Sequence, residues 1–197
     1  NLENTMNFLY FLLLFILFSH FIVFTVPIPA KDQQLLAPNQ PNYHINNIIK
    51  RIQNIMRSDA GVNGDAQRIE QMVWILFLKV YDAQEEEWEL ENEDFESIIP
   101  EELRWRNWAH SKNEDGKIKG DILTGEHLRF FIDNILFPVL QGNDSIDGKY
   151  KGIKVDKDTP RGKAIVKDVF LEAHQYMKNG VLLRQVIDVI DEIDFLD

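Results

Sequence analysis

The chain has 197 residues, with 21 Lys and Arg against 32 Asp and Glu, a formal net charge of -11 and no cysteine. That length suits one ordinary domain with enough chain to bury a sizeable core. Having no cysteine removes disulfides, thiolate-bound zinc, iron-sulfur clusters and thiol nucleophiles, so a reducing cytoplasm is the simpler expectation; the acidic balance argues against a stand-alone nucleic-acid binder and confines any DNA contact to a local patch.

Composition shifts abruptly along the chain. From Asn4 to Ala30 no residue carries a formal charge, and Phe8 to Val26 is apolar apart from Ser19, His20 and Thr25. Such a run is long enough to span a bilayer. A cleavable signal peptide fits less well, because no basic segment precedes it. Lys31 is the only close cation, which leaves little for positive-inside orientation. A third reading is translation of AT-rich DNA from a misplaced start, which yields the same mixture of Phe, Leu, Ile, Asn and Tyr. Residues 31–43 (KDQQLLAPNQPNY) read as a linker, placing the start of the folded unit near His44.

Beyond it the pattern is helical. Ile45, Ile48, Ile49, Ile52, Ile55 and Met56 form one apolar stripe, predicting a first helix that ends near Ser58. After a Gly61 to Gly64 turn, Asp65 is the expected cap of a second. There Ile69, Met72, Val73, Leu76, Phe77 and Val80 form the main face, which Trp74, Ile75 and Leu78 widen. A third begins with Thr124 as N-cap, carries Leu128, Phe131, Ile132, Ile135, Leu136 and Val139, is kinked by Pro138 and stops at Gly142. A fourth takes Thr159 as cap and Pro160 at its first position, with a stripe from Ile165 to Met177, and closes at Asn179 and Gly180. A fifth runs from Val181 to about Ile193. With no alternating strand of five or more residues, the expected fold is an all-α bundle of about five helices, preceded by a separate apolar segment.

Two charged stretches stand out. Asp82 to Glu102 holds eleven carboxylates and no Lys or Arg, with Trp88, Leu90, Phe95 and Ile98 among them. It reads either as a solvated face with aromatic anchors or as a docking surface for a basic partner, with Glu85, Glu86, Glu87, Trp88 and Glu89 as the docking residues. Lys149 to Lys167 is the reverse. Its cations Lys149, Lys151, Lys154, Lys157, Arg161, Lys163 and Lys167 form either a solvated loop and helix start or a phosphate-contacting patch. Arg104, Trp105, Arg106 and Trp108 interleave rings and cations, as a base-stacking surface does, although tryptophans so placed are more often core.

Catalytic constellations are scarce. The five histidines have no metal-ligand spacing, so no metal site is expected. Gly142 to Lys149 has the wrong glycine spacing for a phosphate loop, and Tyr150 stands where Ser or Thr should hold magnesium. Neither Asp144 to Gly148 nor Asp188 to Asp194 has the alternating oxygens of a calcium loop.

The runs INNIIKRIQNIMRSDAGVNGDAQRIEQMVWILFLKVYDAQEEEWE, IPEELRWRNWA, GEHLRFFIDNILFPVLQ and TPRGKAIVKDVFLEAHQYMKNGVLLRQVIDVIDEIDF resemble, in collinear order from about Tyr43 to Phe195, the N-terminal domain of the modification (M) subunit of bacterial type I restriction-modification systems. The resemblance implies a helical domain, here residues 44–197, that precedes a Rossmann-like domain methylating adenine N6 in DNA with S-adenosylmethionine. It also implies a specificity subunit, a second M subunit and a restriction subunit as partners, DNA within the assembled complex, and a bacterial cytoplasmic location. The family's catalytic Asn/Asp-Pro-Pro-aromatic motif is absent, since the chain has no Pro-Pro pair, and so is its Gly-containing S-adenosylmethionine motif. On this resemblance both lie beyond Asp197. The chain is then an assembly and DNA-clamping domain with no catalytic, cofactor-binding or metal residue of its own. The alternative is an acidic helical docking protein anchored to a membrane through residues 4–30.

Overall fold

A computed structural model describes residues 41–112 and 115–193, with side chains from residue 46 onward. The apolar run at 4–30 and most of the expected linker lie outside the described residues. The chain divides into two compact units, residues 1–54 and 55–197. Helix α1 (Pro41–Arg57) starts on a proline, whose missing N–H has no intrahelical partner to lose at that position, and ends on Arg57, a cation at the negative end of the helix dipole. Among the described residues no helix is long and apolar enough to cross a membrane.

Within the second unit the elements are α2 (Gly64–Glu91), a 3-10 turn at Glu101–Leu103, α3 (Trp105–Trp108), α4 (Gly125–Phe131), a π turn (Ile132–Leu136), α5 (Phe137–Leu140), α6 (Arg161–Glu172) and α7 (Gly180–Asp191). The described residues form no strand, only an isolated bridge between Lys112 and Ile118. The all-α expectation therefore holds, with short helical pieces added to the long ones.

The centre of this unit is α2. Its inward side carries Trp74, Ile75, Leu78, Tyr81 and Trp88, all buried, whereas Leu76 and Val73 are only half-buried. The residues expected to widen the face thus form its middle. The reason is length: α2 runs 28 residues, so the face must also include Tyr81 and Trp88, and the best-fitting stripe rotates toward them. Asn63, not Asp65, is the N-cap; its N–H donates to Gln67 Oε1 at 2.6 Å, and Asp65 pairs with Arg68 in the first turn.

Rings continue the core outward from α2. Trp74 meets Phe137 edge-on at 5.1 Å, Phe137 meets Phe170 at 5.1 Å, and Phe77 lies 6.3 Å from Phe170. Along α2 itself Phe77 stacks on Tyr81 at 5.6 Å, and Tyr81 meets Trp88 at 5.9 Å. Edge-to-face contacts of this kind add to the burial of the rings.

The rod from Gly125 to Leu140 has an irregular middle because of Pro138. Proline has no N–H, so the carbonyl of Asn134 loses its usual partner four residues on. The N–H of Ile146 takes its place at 3.0 Å, and the π turn precedes this break. The helix ends in a Schellman motif: Gly142 has φ +92, its N–H donates to Val139, and the N–H of Asn143 reaches Pro138.

Two expected boundaries differ. Helix α6 begins at Arg161 with Pro160 as N-cap, while Thr159 closes a small loop by bonding Asp156. It also stops at Glu172, leaving 173–179 extended, because Asp59 and Gln71 offer that backbone better partners than another helical turn would. The N–H of Tyr176 donates to Gln71 Oε1 at 2.8 Å, and those of Lys178 and Asn179 donate to the Asp59 carboxylate at 2.9 and 2.8 Å. Asn179 then caps α7, accepting from Val181 and Leu182. Gly180 sits where α7 crosses the start of α4; a Cβ there would lie 1.9 Å from the Gly125 carbonyl oxygen.

Leu78→Ala is expected to cost roughly 2–5 kcal/mol in urea titration, as large-to-small core changes do, with Leu76→Ala at the lower end and Glu91→Ala within about 0.5 kcal/mol of the parent. Equal losses at Leu78 and Glu91 would place the buried face elsewhere. Asp59→Ala, which strands three backbone donors, should cost about 2–4 kcal/mol in the same titration.

Candidate functional site

The acidic stretch begins as helix, not loop. Because α2 continues to Glu91, Asp82, Glu85 and Trp88 project from the same side as Tyr81 and are buried, while Glu86 and Glu87 face solvent and Glu89 is half-exposed. Carboxylates taken out of water need compensation. Arg106 supplies most of it. Its Nε bonds Asp82 Oδ1 at 3.0 Å, its backbone N–H bonds Asp82 Oδ2 at 3.2 Å, and its Nη1 reaches Glu89 Oε2 at 2.8 Å, with Glu86 at 3.5 Å. Arg104 Nη1 takes the other Glu89 oxygen at 2.7 Å.

Glu85 is the least compensated. Ser97 donates its hydroxyl to Oε1, and Oε2 has no hydrogen-bond donor among the described residues. Burial therefore pushes this carboxyl up to about 7; the Ser97 bond and Arg104 oppose the shift, and Asp82 adds to it. Burial also raises Asp82, against the hydrogen bonds and charge of Arg106. Of the expected docking residues, Glu85 and Trp88 thus belong to the interior, and Glu86 and Glu87 are the exposed pair.

The basic stretch is a closely bonded loop that leads into α6. Ser145 N–H donates to the Tyr150 carbonyl and Tyr150 N–H returns to Ser145 Oγ, both at 2.9 Å. Ile153 is buried, and its N–H fastens to the Val139 carbonyl at 2.9 Å. Lys149, Lys151, Lys154 and Lys157 are exposed along this loop, and Arg161 is exposed at the start of α6; Lys163 and Lys167 are half-buried. Lys151 pairs with Asp144 at 2.6 Å, and that bond holds the Asp144 carboxyl below the usual carboxylate range. Lys154, Lys157 and Arg161 make no ion pair with another described residue.

The acidic and basic stretches, separate in sequence, touch at two places. Lys149 Nζ lies 3.7 Å from Glu102. Lys163 donates to the carbonyl of Glu96 and stands 4.8 Å over the ring of Phe95, which in turn packs 5.6 Å from Trp88.

Trp105 and Trp108 are buried and meet each other edge-on at 5.4 Å, so they are core and not a stacking surface. Trp105 Nε1 donates to Asp191 at 2.8 Å, where His110 Nδ1 also bonds and Lys79 approaches within 3.8 Å. Burial raises the Asp191 carboxyl, but the bonds from His110 and Trp105, with the charge of Lys79, outweigh it and hold the group low. Among the described residues no cluster of His, Asp and Glu is fit to hold a metal ion.

The family model of the HsdM N-terminal domain matches residues 45–190. The chain belongs to that family. This HsdM N-terminal domain is 47% identical over 151 residues to the type I restriction enzyme EcoEI methylase subunit of Escherichia coli, covering 77% of the chain and 27% of that protein. It is 32% identical to a modification subunit of a putative type I restriction enzyme from Vibrio vulnificus YJ016, with a TM-score of 0.57 over 78% of the chain and 31% of that structure. A second solved chain, from work on complex assembly and conformational transition of the type I R-M system, is 29% identical with a TM-score of 0.58 over 80% of the chain and 27% of the other. The HsdM N-terminal domain described here thus spans about a quarter to a third of the relatives it matches. These relatives give the alternative of a membrane-anchored docking protein no support.

Glu85 makes stability depend on pH with a definite sign. Its carboxyl binds a proton more tightly folded than unfolded, so its contribution is most favourable below its ordinary value of 4.5 and is lost as pH rises through about 7. Glu85→Gln keeps the acceptor for Ser97 and removes the charge. Urea titrations at pH 5 and pH 8 should show the variant gaining on the parent at the higher pH, and an equal difference at both would contradict the assignment.

Proposed function

We propose that this domain assembles with the other parts of a type I DNA methyltransferase and helps to close the complex around DNA, without catalysing transfer itself. The observation that carries the reading is the match over residues 45–190 to the domain family of type I methylase subunits. On this reading the whole subunit methylates adenine N6 with S-adenosylmethionine, and the partners are a specificity subunit, a second M subunit and a restriction subunit. The setting is the bacterial cytoplasm. Exposed Glu86 and Glu87, at the end of a helix whose last turn has no basic residue, are the surface we assign to a basic partner segment.

DNA approaches where cations are displayed on a fixed backbone. Lys149, Lys151, Lys154 and Lys157 sit on a loop held by Ser145, Tyr150 and Ile153, and Arg161 opens α6, so ordering them for a phosphate costs little further backbone entropy. Lys163 and Lys167 extend the patch onto α6. Such contacts position a duplex without reading its sequence.

Changing Lys154, Lys157 and Arg161 together to Ala in the assembled methyltransferase should weaken DNA binding and make its salt dependence shallower. Each lost phosphate contact removes about 0.9 from the slope of log affinity against log salt. Target preference should stay the same. An unchanged slope would return the loop to a solvated surface.

A further inference from the structure

We infer that residues 92–102 form an acidic strap across the basic loop, a built-in competitor that DNA must displace to gain the full set of cations. This rests on the DNA-contact reading above and goes beyond it.

Placement carries the argument. Two stretches that are 47 residues apart at their nearest ends meet at two points of the strap, through Lys163 on Phe95 and Glu96 and through Lys149 on Glu102 at its C-terminal end. Along its length the strap displays Glu93, Asp94, Glu96, Glu101 and Glu102, all exposed. It offers the basic loop what a phosphate backbone would offer: several exposed negative groups close together. A ring beneath Lys163 adds a cation–π contact that a small anion in solution cannot match.

The strap is held in a way that permits release. From Glu93 to Ile99 its backbone hydrogen bonds are local, Phe95 N–H to the Asn92 carbonyl, Asp94 N–H to Asn92 Oδ1 and Ile99 N–H to Ser97 Oγ. Its long-range attachments are side chains: buried Ile99, which fixes the strap's C-terminal half, and on the half to be released Phe95 against Trp88, Ser97 on Glu85, and the lysines. The exposed Lys149–Glu102 pair is weak and screened by salt, and Lys163 meets only a carbonyl and a ring, so a duplex with dense phosphates can exchange for both contacts, whereas an isolated anion gains little. The strap thereby lowers affinity for sparse negative charge and leaves dense charge favoured.

The test is binding of a fluorescent 20-base-pair duplex to the assembled methyltransferase carrying this domain or its variants at several salt concentrations, with circular dichroism to confirm the fold. Phe95→Leu removes the ring under Lys163 and keeps an apolar side chain against Trp88; it alters no charge. Paired Glu96→Gln and Glu102→Gln remove two strap carboxylates, while Asp115→Asn with Glu126→Gln removes two that engage Lys117 and Arg129 instead. Phe95→Leu and the strap pair should each tighten binding about threefold or more and steepen the salt slope, and the control pair should change it less. Tightening that is equal for the two charge pairs, with Phe95→Leu binding like the parent, overturns the strap and leaves the DNA contact standing. An unchanged salt slope when Lys154, Lys157 and Arg161 are changed to Ala in the same complex overturns both.

Discussion

The second unit depends on burying one face of α2 that is both aromatic and charged. Trp74, Tyr81 and Trp88 cannot leave water without taking Asp82 and Glu85 with them, since residues at this spacing share a side of the helix. An isolated buried carboxylate is costly, so the chain must return cations and donors to that face. Arg106 returns on α3, Arg104 on the residue before it, and Ser97 on the connecting stretch. The path of residues 92–110 over the end of α2 follows from that requirement.

The same principle operates where the chain closes on itself. Asp59 gathers the N–H groups of Gly61, Lys178 and Asn179, and Asp191 gathers Trp105, His110 and Lys79. Each carboxylate joins elements more than eighty residues apart in sequence. One fixes the extended segment that sets the start of α7, and the other fixes α7's end against α3. Between them α7 is located at both ends, while Leu183, Val186, Ile187 and Ile190 bury its length.

The two proposed contact surfaces follow from this frame. Burial takes Glu85 inside and Arg104 and Arg106 occupy Glu89, leaving Glu86 and Glu87 outward. The Schellman turn at Gly142 directs the chain into the loop that displays the lysines, and Ile153 pins that loop to Val139. A solvated loop with the same composition but no such anchor would pay more entropy to present the same charges.

Periodicity determined much of this architecture unaided. The long helices, the all-α class, the break at Pro138, the stop at Gly142 and the core role of Trp105 and Trp108 all rest on local spacing or local backbone chemistry, which a sequence displays directly. The family resemblance was legible for the same reason, in blocks that stay collinear. What the sequence could not show was which partners arrive from far along the chain. Asp59 in a Ser-Asp-Ala-Gly turn carries no sign that residues 178 and 179 will bind it, so the helix expected through Met177 ends instead at Glu172. Glu85 and Glu89 look alike in a run of carboxylates, and only the tertiary return of Ser97, Arg104 and Arg106 makes one a nearly uncompensated buried acid and the other a surface ion pair. The meeting of the acidic and basic stretches was likewise invisible, because charge signs are local but the distance between Lys163 and Phe95 is set by how α2 and α6 pack through Phe77 and Phe170.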